Sequence, residues 1–294
     1  MSIPETQLET WSNQGAMTTA TQTYNSIRNA LADGLWPTAN TPDIYLQGSY
    51  RNSTNIYAES DVDVIVEIQG VAHWDTSELA PLQALQVNAT FRKAPYLWED
   101  GYRDTLATLR DYYGYADVRP GKKAIQVRTP YRTADVVVAV EFQKYQSLLT
   151  AVFHVSGIAV WVEADCAWLT NFPRQHYDNG VQKNARTGGL FKPTVRLFKN
   201  ANRYMVEQRK LLAAGTAPSY AIECLVYSAP NECFNTDYGE TFCKIVNWAD
   251  QNLTAIRRVS ERGSIVGSGR GLWNLTAGRS YVDALAKLWN GWWM

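Results

Sequence analysis

No charge of either sign accumulates in this chain. Its 294 residues carry 28 Lys and Arg against 28 Asp and Glu, a formal net charge of zero. Proteins that grip long nucleic acid by its phosphates usually hold a basic excess that displaces counterions, and no such excess exists here. Cysteine is sparse. The four, Cys166, Cys224, Cys233 and Cys243, lack CxxC spacing, and His73, His154 and His176 stand far apart along the chain. That argues against structural zinc and for reduced thiols in or near a core. No window holds the ~20 apolar residues that a membrane span needs. The opening MSIPETQLETWSNQG has no signal-peptide apolar stretch, so the expectation is a cytoplasmic protein without membrane contact. Low-complexity tracts and internal repeats are also missing. What remains is 46% hydrophobic and 12% aromatic, ample for a packed interior in a chain long enough for two lobes.

Periodicity supplies the elements. Leu8, Trp11, Tyr24, Ile27 and Leu31 recur at helical spacings and predict one long helix over 5–33, stopped by Gly34. DIYLQ (43–47) predicts a short strand ending at Gly48, and residues 61–68 a second strand. A loop and short helix are expected over 74–85, and a helix over 100–113 ended by Gly114. Strand-like runs follow at 124–128, 135–142 and 155–162. From about residue 171 the pattern becomes helical, over 191–212, 220–228, 241–256 and 281–293. A helix, then a mixed sheet, then a helical lobe is an α+β order.

One stretch asks for an explanation: GSYRNSTNIYAESDVDVIVEI, residues 48–68. Side chains two apart on a strand point the same way, so Asp61 and Asp63 share a face while Val62, Val64 and Val66 share the other. Two carboxylates held so close repel and would raise each other's pKa. A hard divalent cation such as Mg²⁺ removes that conflict. In RTADVVVAVEF, Asp135 opens another apolar run with no charged partner beside it. Should its strand lie beside the first, Asp135 completes a cradle for two ions ~4 Å apart, the arrangement that serves in-line phosphoryl displacement. Gly48 and Ser49, just ahead, offer close backbone approach and a hydroxyl to phosphate oxygens. Singly, GS reads better as an ordinary turn and DVD as an exposed edge. Together, with twelve residues from Ser49 to Asp61, they read as a nucleotidyl-transfer site.

GS, then DxD on a strand, then a distant third Asp resembles the polymerase-β-like nucleotidyltransferases. GSYRNSTNIYAESDVDVIV resembles more narrowly the bacterial cGAS/DncV-like nucleotidyltransferases (CD-NTases), and is similar to oligoadenylate synthase and cyclic GMP-AMP synthase. NFPRQHYDNGVQKNARTGGLFKPTVRLFKNANRYM and PSYAIECLVY agree, so the resemblance runs from about residue 40 to 230, with the N-terminal helix matching the family's long spine helix.

The resemblance implies a catalytic lobe over 1–170 and a helical lobe over 171–294 that closes the cleft. It implies that Asp61, Asp63 and Asp135 bind two Mg²⁺ ions, with Mn²⁺ able to substitute, and that Gly48 and Ser49 hold the donor's phosphates. Lys199 and Ser219 would add phosphate contacts, Tyr220 would stack on the donor base, and Glu223 would be structural. Val138 departs from the family, many members of which have proline three residues after the third Asp. The implied reaction joins nucleoside triphosphates, ATP and GTP, into a cyclic di- or oligonucleotide and releases pyrophosphate. The product would be a second messenger of CBASS-type anti-phage defence, sensed by a separate effector. No double-stranded DNA activator is expected, because the cysteine spacing and zero net charge support neither a zinc-bearing insertion nor a basic platform.

Other features stay open. Asn184 and Arg186, in KNARTGG, face an acceptor nucleotide or are ordinary loop residues. His176 reads as a packed, hydrogen-bonded residue rather than a general base. Lys192, Arg196, Lys199 and Arg203 fall on one helix face, read as neutralising a triphosphate. Trp289, Trp292 and Trp293 read as a docking segment. The rivals are transfer of nucleotides to an RNA end or a protein, and an inactive nucleotide-binding module.

Overall fold

A computed structural model describes residues 2–15, 17–57, 61–91, 95–147, 153–269 and 271–293. The chain divides into two compact units. One comprises Ala16–Tyr50 and Ser60–Arg174, the other Met1–Gly15, Arg51–Glu59 and Gln175–Met294.

In the first unit, α2 (Thr18–Ala32) precedes β1 (Asp43–Leu46), and α3 (Gly48–Asn52) begins at the GS pair. There follow β2 (Val62–Asp75), α4 (Pro81–Thr90), α5 (Trp98–Tyr113), β3 (Val118–Pro120), β4 (Ile125–Arg128), β5 (Thr133–Ser147), β6 (Phe153–Val162) and β7 (Ala167–Asn171). The sheet runs β1-β2-β5-β4-β3, with β6 bridging β5 and β7. Only β2 and β5 pair in parallel among the described strands. Val62, Val64, Val66, Ala134, Val136 and Val138 are buried on one face, beneath Ile27 and Leu31 of α2 and Leu109 of α5. Each valine so buried contributes roughly 1.5–3 kcal/mol, which fixes the strand register, since a one-residue slip would put the acids into that core. Glycine stops α5 as expected, with Gly114 at φ +88°.

The second unit is helical: α1 (Glu5–Ser12), α6 (Pro173–Arg186), α7 (Phe191–Glu207), α8 (Ser219–Ser228), α9 (Tyr238–Asn252) and α10 (Leu275–Asn290). Phe198 stacks on Phe242 and Phe242 on Trp289, while Trp292 meets Trp11 and Tyr204. Trp289 and Trp292 therefore do dock inside this unit, whereas Trp293 is 63% exposed.

Several elements differ from expectation. The single helix over 5–33 is two, α1 and α2. Gly15 lies between them, its N–H bonded to the Asn55 carbonyl at 3.2 Å, and a Cβ there would collide with the Ile56 main chain. Leu8 and Trp11 of α1 belong to the helical core, so the spatial grouping does not follow the cut at 170/171. The second strand continues past residue 68 through a bulge between Ile68 and Ala72, where Gly70 takes φ +73°. Val138 sits in mid-strand, its carbonyl held by Trp98 Nε1 at 3.0 Å.

Candidate active site

Neighbouring strands bring the acids together. Asp63 and Asp135 are register partners across the parallel β2–β5 pair, and Asp61 lies one residue before β2. With Val62, Ala134 and Val136 in the core beneath, Asp63 and Asp135 share the opposite face, which continues as Ile65, Val137 and Ala139. Asp61 is exposed, Asp63 and Asp135 half-buried.

Asp135 bears the strain of this placement. Burial, and then the charge of Asp61, push its carboxyl above the ordinary carboxylate value, and a hydrogen bond from Gln126 offsets part of the rise. Its Oδ1 is buried without a hydrogen-bond partner. Gln126 is the Asp135 register partner on β4 and was not singled out in the sequence, although a polar residue one strand away was the signal to find.

Gly48 completes this half. It takes φ +70°, and a Cβ there would overlap Asp63 Oδ2. The GS turn and the DxD strand are thus fitted against each other, aided by the Gln47 N–H, which donates to the Asp63 carbonyl at 3.0 Å. Ser49 is half-buried, and the next residue, Tyr50, is anchored in the sheet core.

Among the described residues, no group of three or more His, Cys, Asp or Glu stands ready to hold an ion. Two of the three expected donors, Asp63 and Asp135, hold adjacent strand positions, and Asp61 lies just before β2. The donors nonetheless fit a hard cation: oxygen ligands only, one of them buried and unpartnered, in a carboxylate destabilised by its neighbour.

The other predicted residues lie in the helical unit. Ser219, exposed, opens α8 immediately after Pro218. Tyr220 is 37% exposed, and its hydroxyl is pushed up by burial and by Cys224. Behind it Glu223 is buried, accepting from His176 Nε2 at 2.7 Å and from Thr54 Oγ1 at 3.3 Å. Burial opposes its ionisation, but His176 and Lys199 hold the carboxyl below its ordinary range. An isolated Glu inside AIECLVY was the sequence signal for a buried cationic partner.

Two of the four cations of the α7 stripe are spent on main-chain carbonyls. Arg196 donates to Ser12 and Ser53, both at 2.6 Å, and Lys199 Nζ to Thr54 at 3.0 Å. Arg203 pairs with Glu207 in solvent. Lys199 is only 3% exposed, and its ammonium, expected to meet a phosphate, is buried against the Thr54 carbonyl. We therefore expect Lys199→Ala to lose about 2–3 kcal/mol in denaturant unfolding, because Thr54 and Glu223 are left uncompensated. Unchanged stability with a raised KM would restore the phosphate contact. Asn184 also departs from expectation: its Oδ1 caps α7 by accepting from the Lys192 N–H at 3.1 Å. Arg186 is exposed and donates to Gln182 at 3.1 Å.

The profile of the cGAS/DncV-like nucleotidyltransferase C-terminal helical domain matches residues 178–290. The chain belongs to the cGAS/DncV-like nucleotidyltransferases, enzymes that join nucleotides into cyclic products. It is 40% identical to a cyclic UMP-AMP synthase of Rhodothermus marinus over 294 residues, 99% of both chains. It is 31% identical to the cyclic nucleotide synthase CdnE01 of Staphylococcus haemolyticus, over 99% of this chain and 100% of that one. The solved structure of the Rhodothermus marinus CdnE c-UMP-AMP synthase with Apcpp and Upnpp matches with a TM-score of 0.90 at 39% identity, covering 99% of this chain and 98% of that one. The family is in general dependent on a divalent metal. No helix of the described residues is long and apolar enough to cross a membrane.

Proposed function

We propose that Asp61, Asp63 and Asp135 are the catalytic and metal-holding residues of a cyclic dinucleotide synthase, with Mg²⁺ as the physiological ion at two positions. The reading is carried by the register of Asp63 against Asp135, together with the buried, unpartnered Asp135 oxygen. Bound there, divalent ions would neutralise the triphosphate and acidify the attacking hydroxyl. Ser49 donates its hydroxyl to the donor phosphates, and Gly48 lets the main chain approach them. Tyr220 stacks on the donor base, a contact worth about 1–3 kcal/mol, and Ser219 offers a further hydroxyl.

The acceptor hydroxyl oxygen attacks the donor α-phosphorus. The bond from that phosphorus to the α–β bridging oxygen breaks, and pyrophosphate leaves. The hydroxyl proton is taken by the Asp135 carboxylate through the oxygen that does not hold an ion. The linear intermediate then presents its remaining triphosphate as donor, and the ring closes by the same displacement with loss of a second pyrophosphate.

The sequence reading paired ATP with GTP. The 40%-identical relative named for UMP and AMP favours ATP with UTP instead. Membership of this family supports a cytoplasmic role in anti-phage signalling through a separate effector. Incubation with labelled triphosphates and Mg²⁺, without primer, should give a phosphatase-resistant product, greatest with ATP and UTP together and lost in EDTA. The Asp61→Asn, Asp63→Asn double variant should give none. Label on tRNA or polypeptide would establish transfer to a macromolecule instead, and no product with any triphosphate would indicate an inactive binding module.

A further inference from the structure

His176 was not needed for the chemistry, yet it sits at the junction of a buried polar cluster in the helical unit. Its Nε2 lies 2.7 Å from Glu223 Oε1 and 3.0 Å from the Asn52 side-chain amide. An ionised Glu223 only accepts, so Nε2 carries the proton of that bond and Asn52 Nδ2 is a packed neighbour of the ring rather than a donor to it. The same ring lies beside Tyr220, with centroids 5.4 Å apart at 45°. The other Glu223 oxygen takes the Thr54 hydroxyl, and the Thr54 carbonyl takes Lys199. Asn52 and Thr54 are buried and follow Ser49 by three and five positions in the chain.

One imidazole therefore touches the ring assigned to the donor base and the segment that leaves the assigned phosphate seat. Tyr220 can turn only about its side-chain torsions, and two neighbours limit that freedom: Cys224 at its hydroxyl and His176 at its ring. A stacking platform that is already oriented binds a base without first losing rotamer entropy.

We infer that His176 is a positioning residue for nucleotide binding, tying the Tyr220 ring to the Asn52–Thr54 segment through Glu223. The inference rests on the proposed role of Tyr220 as the base platform. It predicts an effect on affinity with little effect on the chemical step, because His176 touches no reacting atom.

The experiment is a double-mutant cycle on the full chain, reading binding of α,β-methylene-ATP with Mg²⁺, steady-state kinetics and thermal melting. Tyr220→Ala and His176→Ala are each expected to weaken binding about tenfold and to raise KM similarly, with kcat within about threefold. The pair together should cost little more than either alone, since both changes break one unit. His176→Gln, whose amide can still donate to Glu223, should restore affinity to within about threefold. Tripolyphosphate has no base, so its binding should be unaffected by His176→Ala. Should His176→Ala fail to fold, His176→Phe keeps the ring packing beside Tyr220 while Lys199 and Thr54 still compensate Glu223, and is expected to show the same tenfold loss. Additive losses in the cycle, or a weakened Tyr220→Ala beside an unaltered His176→Ala, would overturn the inference and leave the functional reading intact. An unaltered Tyr220→Ala would instead overturn the base-platform reading on which the inference stands.

Discussion

Asp135→Asn is expected to abolish cyclic product while making the metal-free protein more stable. The two effects have one origin. In the folded unit the Asp135 carboxyl is held above its ordinary value by burial and by Asp61, and its Oδ1 is buried without a partner. A raised folded-state pKa means that the ionised form costs stability at neutral pH. The cost is relieved as pH falls through the raised value, the reverse of the common case of a paired aspartate. The substitution removes the charge at nearly constant shape, so melting in EDTA should rise by roughly 2 °C, about 1 kcal/mol. The wild-type advantage should reappear with Mg²⁺, because binding to the native state alone is stabilising. Activity should fall at least about 10³-fold, ~4 kcal/mol, through loss of a metal ligand and of the base. Melting curves with and without Mg²⁺, beside product formation, test both halves. Retained activity would remove Asp135 from the site, and a lower melting temperature in EDTA would remove the burial argument.

The acid pair and its alternation with Val62, Val64 and Val66 could be read directly, because a strand's period of two is visible in one dimension. The pairing of Asp63 with Asp135 could only be supposed, since more than seventy positions separate them and register is a long-range property. Residues whose roles are set by what covers them were read less well. Lys199 and Arg196 read in sequence as part of a stripe neutralising a triphosphate, yet carbonyls of distant segments absorb their donors. Asn184 looked like a loop residue facing a ligand, yet it caps the next helix. Helix α6 passed unnoticed for a related reason. PRQHYDNGVQKNAR has few apolar residues, and Gly180, where a Cβ would lie 3.8 Å from the Phe191 ring, reads as a breaker in sequence. The break between α1 and α2 is the opposite error: the apolar spacing persists across it, and only the approach of Ile56 explains the glycine.

Gly48→Ala separates the fit of the phosphate seat from simple backbone strain. At φ +70° an L-residue costs about 1–2 kcal/mol, which alone would lower stability and nothing else. The added methyl would also occupy the space of Asp63 Oδ2, so the carboxylate must turn away from its present position beside the GS turn. Displacing a catalytic group by about 1 Å costs on the order of 10²-fold in rate. Gly114 supplies the control, because it has φ +88° in the same unit and a Cβ there meets nothing within 4 Å. Gly114→Ala should likewise lower stability while keeping activity within about twofold. Gly48→Ala should lose about 10²-fold in kcat/KM and should also need more Mg²⁺ for half-maximal rate, since one donor of the metal site has moved. Equal activity in the two variants would mean that the contact between Gly48 and Asp63 has no part in catalysis. The turn before the acids would then be a chain reversal rather than a phosphate seat built against them.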